Sequence, residues 1–446
     1  MAIDVEVKVG SGGLSYSVGV GFVSSDEIPF NLEIIRLADK ISLLYSGEAL
    51  MSKQGRLHSL DHLRAHMMIL GVVFHTSLMY YTTKDGEGWP VRDDAQSLFF
   101  SELIHLIHLF RMPVFFIVAG FFTAFILMRG GIAALLKDRF RRIALPLILF
   151  WPVLKMLSDE GLYFVTAMME MKVYVWRGVS DVFFDSMSLH HLWFLYFLLI
   201  FYVMTAVPFI AINKNQSLLM KLQEKLQVKR RFSWKYAPLV LAIPAAIFNY
   251  NLGEYNVAAP IDWAINVNIV GFYYCFFVFG LLLYRSRNGL SEMVTYSRWW
   301  LFFIFLAFVL KNVGFNIQYY FSGELLDDFT WYGVYSKAII MCCISLLVVN
   351  FYTKFMEFRG KLSRYVTDAS YWIYLIHFPL TIWLPVLFMD IQVSAYVKFT
   401  CVVLLTMLIS LISYHVFVRS TWLGLLLNGK KANRDHRSEV ILAKAQ

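Results

Sequence analysis

An arginine and a histidine with ten residues between them, Arg64 and His75, lie in the apolar run over 61–81. Eleven helical steps of about 100° carry the second ~20° past three full turns, so both share one face about 16 Å apart along the axis. Gly71 falls on nearly the same stripe and leaves room beside it, whereas His66 faces the opposite way. Ionisable groups inside a membrane span are costly, and each is a functional candidate. Two readings stand. The stripe lines a path, with a cation low and an acid/base group high; or Arg64 snorkels to the headgroups and His75 is a hydrogen-bonded core residue. Under the first, the chemistry is proton transfer near neutral pH, for which His is the usual side chain.

Other polar side chains fall into similar patterns. Ser370, Tyr374 and His377 share one helix face, either near a reacting group or as a helix-packing hydrogen-bond cluster. His190 and His191 precede Trp193 at an outer helix start. They could meet a ligand there, but the wet interface is the preferred reading. Glu102, His105 and His108 repeat at three-residue spacing, yet a further ligand is lacking and the stretch 95–110 reads as an interfacial amphipathic helix, so no metal site is expected. Lys155, Lys311, Lys337 and Lys398 lie near or inside apolar runs, and any of them could face an anionic ligand. Cys275, Cys342, Cys343 and Cys401 all sit in apolar runs and read as packing residues.

The elements that must position these groups follow from composition. Of 446 residues, 59% are apolar and 16% charged, against roughly 25% charged in a soluble domain. Mean hydropathy is +0.58. Lipid must cover that much apolar surface, which excludes a soluble enzyme, a disordered chain, a coiled coil and a disulfide scaffold. The apolar runs are continuous and do not alternate, which disfavours a β-barrel. The fold class expected is all-α, a polytopic membrane helix bundle of about ten spans: 61–81, 111–128, 143–157, 189–210, 236–252, 266–284, 299–315, 333–353, 371–389 and 396–418. With the N-terminus inside, the outer loops carry only Lys84, Arg92, Lys172 and Arg177, and the remaining loop Lys and Arg fall inside. That asymmetry predicts N-in, C-in topology, and it explains the net charge of +9 without nucleic acid as a partner. Residues 215–231 read as a basic amphipathic helix on the inner leaflet. Residues 1–50 are polar and read as an extension of unknown role, either dispensable ahead of an alternative start at Met51 or a small strand pair; 51–425 form the membrane domain and 426–446 a basic cytoplasmic tail. Outer-end aromatics such as Trp89, Trp176 and Trp263 suit the interfacial belt, and also sugar stacking.

Leu60-Asp61-His62-Leu63-Arg64, ten residues, then His75 resembles the opening motif of the membrane acyltransferase family 3. Phe110-Arg111-Met112-Pro113 through Gly120-Phe121-Phe122-Thr123 is similar to that family's second span, most of all in its glucans biosynthesis protein C branch. The basic loop from Lys137 to Pro146, with Arg139 and Arg142, follows the pattern, as do His191-Leu192-Trp193 and Ser370 through Pro379. The likeness spans roughly 57–425; residues 1–50 have no expected counterpart, and Ala119 stands where the branch has Ser. The resemblance implies transfer of an acyl group, succinyl or acetyl, from cytoplasmic acyl-CoA to a hydroxyl of a periplasmic glycan, in the inner membrane and with no bound cofactor. It implies His75 as general base or acyl carrier, with Arg64 assisting. Arg64, Arg139 and Arg142 would hold CoA phosphates, the last two being equally readable as positive-inside charge. Arg111, His191, Tyr374 and His377 are candidates for the acyl path or the acceptor. A succinylated periplasmic glucan is the expected product. O-acetylation of lipopolysaccharide, exopolysaccharide or peptidoglycan is the nearest alternative, and a secondary transporter the alternative of another class. Protein partners are not legible.

Overall fold

The computed structural model describes residues 2–10, 13–21, 58–82, 89–170, 187–214, 233–254, 256–286, 289–322, 330–357 and 360–428. They form two units, divided between Leu57 and His58. In the first, β1 (Ala2–Gly10) and β2 (Gly13–Gly21) pair antiparallel, Val5 opposite Val18 and Val7 opposite Tyr16.

The second unit is built of helices and their connections, with no strand among its described residues. Its elements are α1 (His58–Ser77), α2 (Leu98–Arg139), α3 (Leu145–Met169), α4 (Trp193–Lys214), α5 (Ala237–Tyr250), α6 (Val267–Arg285), α7 (Gly289–Ser322), α8 (Trp331–Phe355), α9 (Lys361–Trp383), α10 (Ala395–Ser413) and α11 (Trp422–Asn428). The apolar runs of the sequence fall on α1 to α10. Among the described residues, seven helical runs are long and apolar enough to cross a membrane, that from Leu98 to Met169 being continuous through α2 and α3. The polar α1 and the 14-residue α5 fall short of that measure. The molecule is a multi-pass membrane protein.

Local chemistry sets the helix ends. The side chains of Ser97, Asn266 and Thr330 accept the first free amide hydrogens of α2, α6 and α8. Gly131, at φ 68°, breaks α2 before its basic last turn, a conformation that costs glycine little. A π-turn over Phe140–Ala144 then leads into α3.

Two expectations need correction. Residues 95–110 are not a separate interfacial helix; from Leu98 they continue without interruption into the next span. Nothing at 110–111 breaks the helix, because Pro113 lies inside a run whose other amides stay bonded. The run at 143–157 is not short either, since α3 continues to Met169. The basic stretch 215–231 and the tail from 429 lie outside the described residues.

The core is built on close helix crossings. A Cβ on Gly120 would collide with the backbone carbonyl of Phe277, and one on Gly280 with that of Ile117, so α2 and α6 pack almost backbone to backbone. Phe116, Phe201, Phe276 and Phe277 are fully buried around that contact. Helix α9 packs along α1, and this pair carries the site.

Candidate active site

Facing stripes of α1 and α9 meet in the bundle. His75 lies 5.2 Å from His377 between ring centroids, and His377 lies 5.2 Å from His191. Phe378 holds them together: its ring is 4.9 Å from His75, 5.0 Å from His191 and 5.3 Å from His190. His377 is 0% exposed, and His191 and Tyr374 are buried; His75 is half-buried.

Backbone carbonyls set the tautomers of two of these imidazoles. His377 Nδ1 donates to the Tyr374 carbonyl at 2.7 Å, so its Nε2 carries a lone pair. His191 Nε2 donates to the Leu375 carbonyl at 3.0 Å, which leaves the lone pair on Nδ1. Among the described residues neither lone pair has a hydrogen-bond partner, and both atoms are buried; His75 Nδ1 is likewise a buried nitrogen with no partner there. The Tyr374 hydroxyl donates to the His191 carbonyl at 2.8 Å, tying α9 to the short 3₁₀ turn His190–Leu192. Buried nitrogen lone pairs without donors are acceptors available to a substrate proton.

Arg111, on α2, enters this cluster from the side. Its Nε donates to the Met67 carbonyl at 3.0 Å, and it is 7% exposed. The point where a Gly71 Cβ would stand lies 3.1 Å from the Arg111 guanidinium carbon and 3.2 Å from His377 Nε2. Gly71 thus does leave room on the α1 stripe, and a guanidinium fills it. Arg111 does not pair with His108, whose Nε2 donates to the Val257 carbonyl at 3.0 Å. His108 instead lines a cavity of about 30 Å³ with Pro113, Asn249 and Lys337.

At the other end of the stripe lies a basic mouth. Arg64 is 44% exposed, 3.6 Å from Asp61, and set over the Phe122 ring. Arg139 covers the Tyr202 ring at 5.0 Å and approaches Asp138 at 3.7 Å; its Nε and one terminal nitrogen are buried without a partner. Arg142 Nε meets Asp138 at 3.0 Å. Arg139 and Arg142 lie near enough to Arg64 for the like charges to repel, so the fold brings these three basic residues to one region. Tyr371 links mouth to cluster: its hydroxyl donates to the Arg142 carbonyl at 2.7 Å, and its ring stacks on Tyr374 at 6.3 Å.

His191 departs from its expected place: it is inside the bundle and not at a wet interface, because α9 supplies its hydrogen-bond partner. Ser370 is turned back on Thr367 and takes no part. A neighbouring network is not evident from the sequence. Asp159 bridges the buried Lys155, 2.6 Å away, and His190 Nε2, also 2.6 Å away. His190 adopts φ 45°, a strained conformation for a residue with a Cβ, held by the Ser188 hydroxyl accepting its amide at 3.2 Å. The available signal is the i, i+4 pair Lys155 and Asp159 in an apolar run. Among the described residues, no group of three His, Cys, Asp or Glu side chains is arranged to hold a metal ion.

Comparison with known proteins matches residues 57–415 to the model of an acyltransferase domain, family 3. The chain is similar to glucans biosynthesis protein C of Escherichia coli O1:K1 / APEC, 27% identical over 392 residues, 84% of this chain and 95% of the relative. Glucans biosynthesis protein C of Escherichia coli strain K12 / DH10B matches at the same identity and coverage. No solved structure matches the chain.

Proposed function

The chain belongs to the acyltransferase family 3 and is a membrane acyltransferase; from this premise we propose that it moves a succinyl group from cytoplasmic acyl-CoA to hydroxyls of a periplasmic glucan. The observation that carries the reading is the arrangement along the packed pair α1 and α9, with Arg64, Arg139 and Arg142 toward one end and three histidines with unpartnered nitrogens farther along. Arg64 and His75 are about 16 Å apart along a helix, roughly half the thickness of a bilayer core. A donor held at one surface would deliver its thioester near the middle.

In this reading Arg64 and Arg139 bind CoA phosphates, for which guanidinium donors suit bidentate recognition, with Arg142 at the rim. The acceptor hydroxyl oxygen attacks the thioester carbonyl while His75 takes the hydroxyl proton. The carbon–oxygen bond forms, the carbon–sulfur bond breaks, and the proton passes to the departing thiolate to give free CoA. An acyl-histidine route would use the same imidazole, with the acyl group resting on His75 between two transfers. His377 and His191, as neutral acceptors, take hydrogen bonds from neighbouring hydroxyls of the acceptor and so orient it, and Tyr374 fixes the His191 backbone. The positive-inside asymmetry supports an N-in, C-in orientation, and the inner membrane is the location that the family reading implies. Family membership supports an enzyme over a secondary transporter.

The test is mass spectrometry of periplasmic glucans from cells lacking the gene, complemented with wild type or His75→Ala. The expected result is a succinyl mass increment restored by wild type alone. Glucans unchanged by wild type would refute the acceptor and turn the search to acetyl esters on other surface glycans.

A further inference from the structure

Arg111 is a buried guanidinium whose counter-charge does not come from the described protein. Other buried cations of the bundle are matched: Lys155 by Asp159, and Lys398 by Asp93. Lys337 donates to Asn256 at 2.6 Å. Arg111 has its Nε bond to the Met67 carbonyl and the face of Phe115 at 5.8 Å, and among the described residues no carboxylate lies within ion-pair distance of it. A buried charge without a partner is costly, and a protein that keeps one has reason to receive an anion there.

The surroundings narrow the anion. Arg111 interacts electrostatically with His75, His191 and His377. His377 and His191 present lone pairs, not N–H groups, to the space among the rings. They can accept a proton but cannot donate to an anionic oxygen, so the terminal guanidinium nitrogens are the donors at this point. Phosphates of a coenzyme have their own cations at the mouth, seven helical residues or about 10 Å before Gly71. A neutral acyl chain would leave the guanidinium uncompensated when bound.

We infer that Arg111 is the donor-specificity residue: beside Gly71 and His377, its guanidinium takes the free carboxylate of a dicarboxylic acyl chain whose thioester reacts at His75. This rests on the acyl-CoA reading above and deepens it. A carboxylate two methylenes from the reacting carbonyl matches the scale of the cluster, in which His75 and His377 stand 5.2 Å apart. The planar fork binds such a group bidentately.

The experiment uses the full chain in proteoliposomes with glucan from cells lacking the gene, and reads CoA release from succinyl-CoA and from butyryl-CoA, its near-isostere without the carboxylate. For Arg111→Met the ratio of kcat/KM for succinyl over butyryl should fall about 10- to 100-fold, the range of a charge-assisted hydrogen bond. Arg111→Lys should recover part of the ratio by keeping the charge. Should Arg111→Met fail to reach the membrane, Gly71→Ala, whose added methyl displaces the guanidinium, should lower the same ratio. Equal losses for both donors would overturn the inference and make Arg111 a stabiliser of the reacting oxyanion or a packing residue. Wild type releasing CoA from neither donor would overturn the acyl-CoA reading as well.

Discussion

Lys398 and Arg111 are two buried cations in one bundle, and the protein treats them in opposite ways. Lys398 donates to both oxygens of Asp93 at 2.9 Å and to the Met389 carbonyl at 3.1 Å, satisfying all three of its hydrogens. Asp93 in turn accepts the Ala95 amide at 2.8 Å. This closed pair joins α10 to the connection between α1 and α2. Arg111 is also buried, yet it stands among three histidines with no carboxylate in ion-pair distance among the described residues. The contrast separates a charge that holds the fold from one kept ready for a ligand. Desolvation is costly for both, but only the first recovers that cost within the folded chain.

Substitutions at and around the two cations test that contrast. The largest effect is expected at the reacting end: His75→Ala should lower kcat about 10²- to 10⁴-fold, the usual contribution of a general base, with the protein still folded in the membrane. Steady-state CoA release alongside size-exclusion of the detergent-solubilised protein checks both halves. Next comes the closed pair. Asp93→Asn leaves Lys398 buried without its counter-charge and should cost about 3–5 kcal/mol of stability, read as a lowered melting temperature, with KM for the donor unchanged. Arg111→Met should have the opposite sign in that assay, because it removes an unmatched charge: a gain of about 1 kcal/mol, or no loss. A destabilisation by Arg111→Met as large as that of Asp93→Asn would erase the distinction. The smallest effects belong to the mouth. Arg139→Ala should raise the donor KM about tenfold, and Arg142→Ala, at 45% exposure and already paired with Asp138, about two- to fivefold, more weakly as salt rises.

Part of the site is legible in the chain itself. The helical period sets Arg64, Gly71 and His75 on one face of α1, and Tyr374 and His377 together on α9, because residues three, four, seven or eleven apart on one helix must be neighbours in angle. The helices fall on the apolar runs for an equally local reason, since a backbone in lipid must satisfy its own hydrogen bonds. Local patterns mislead where continuity matters. The polar stretch 95–110 has the pattern of a surface helix, but no residue there stops it from continuing into the run that follows.

Contacts between helices distant in sequence are set by packing. No spacing rule relates Arg111 to Gly71, or His191 to Leu375, and both meetings depend on how α2, α4 and α9 are set against α1. That setting is governed by close approaches such as Gly120 against the Phe277 carbonyl, where a single added methyl would hold two backbones apart. Likewise Asp159, one of two adjacent acidic residues in an apolar run, becomes the bridge between Lys155 and His190 only because the 3₁₀ turn with the left-handed His190 meets α3 there. Residue order alone dictates the helices, the family and the faces that carry Arg64, His75, Tyr374 and His377. It takes the packed bundle to bring those faces together, to draw His191 inside, and to make Arg111 the cation they surround. Angle along one helix is a local property of the backbone, whereas the register between helices is a balance of side-chain volumes drawn from the whole bundle.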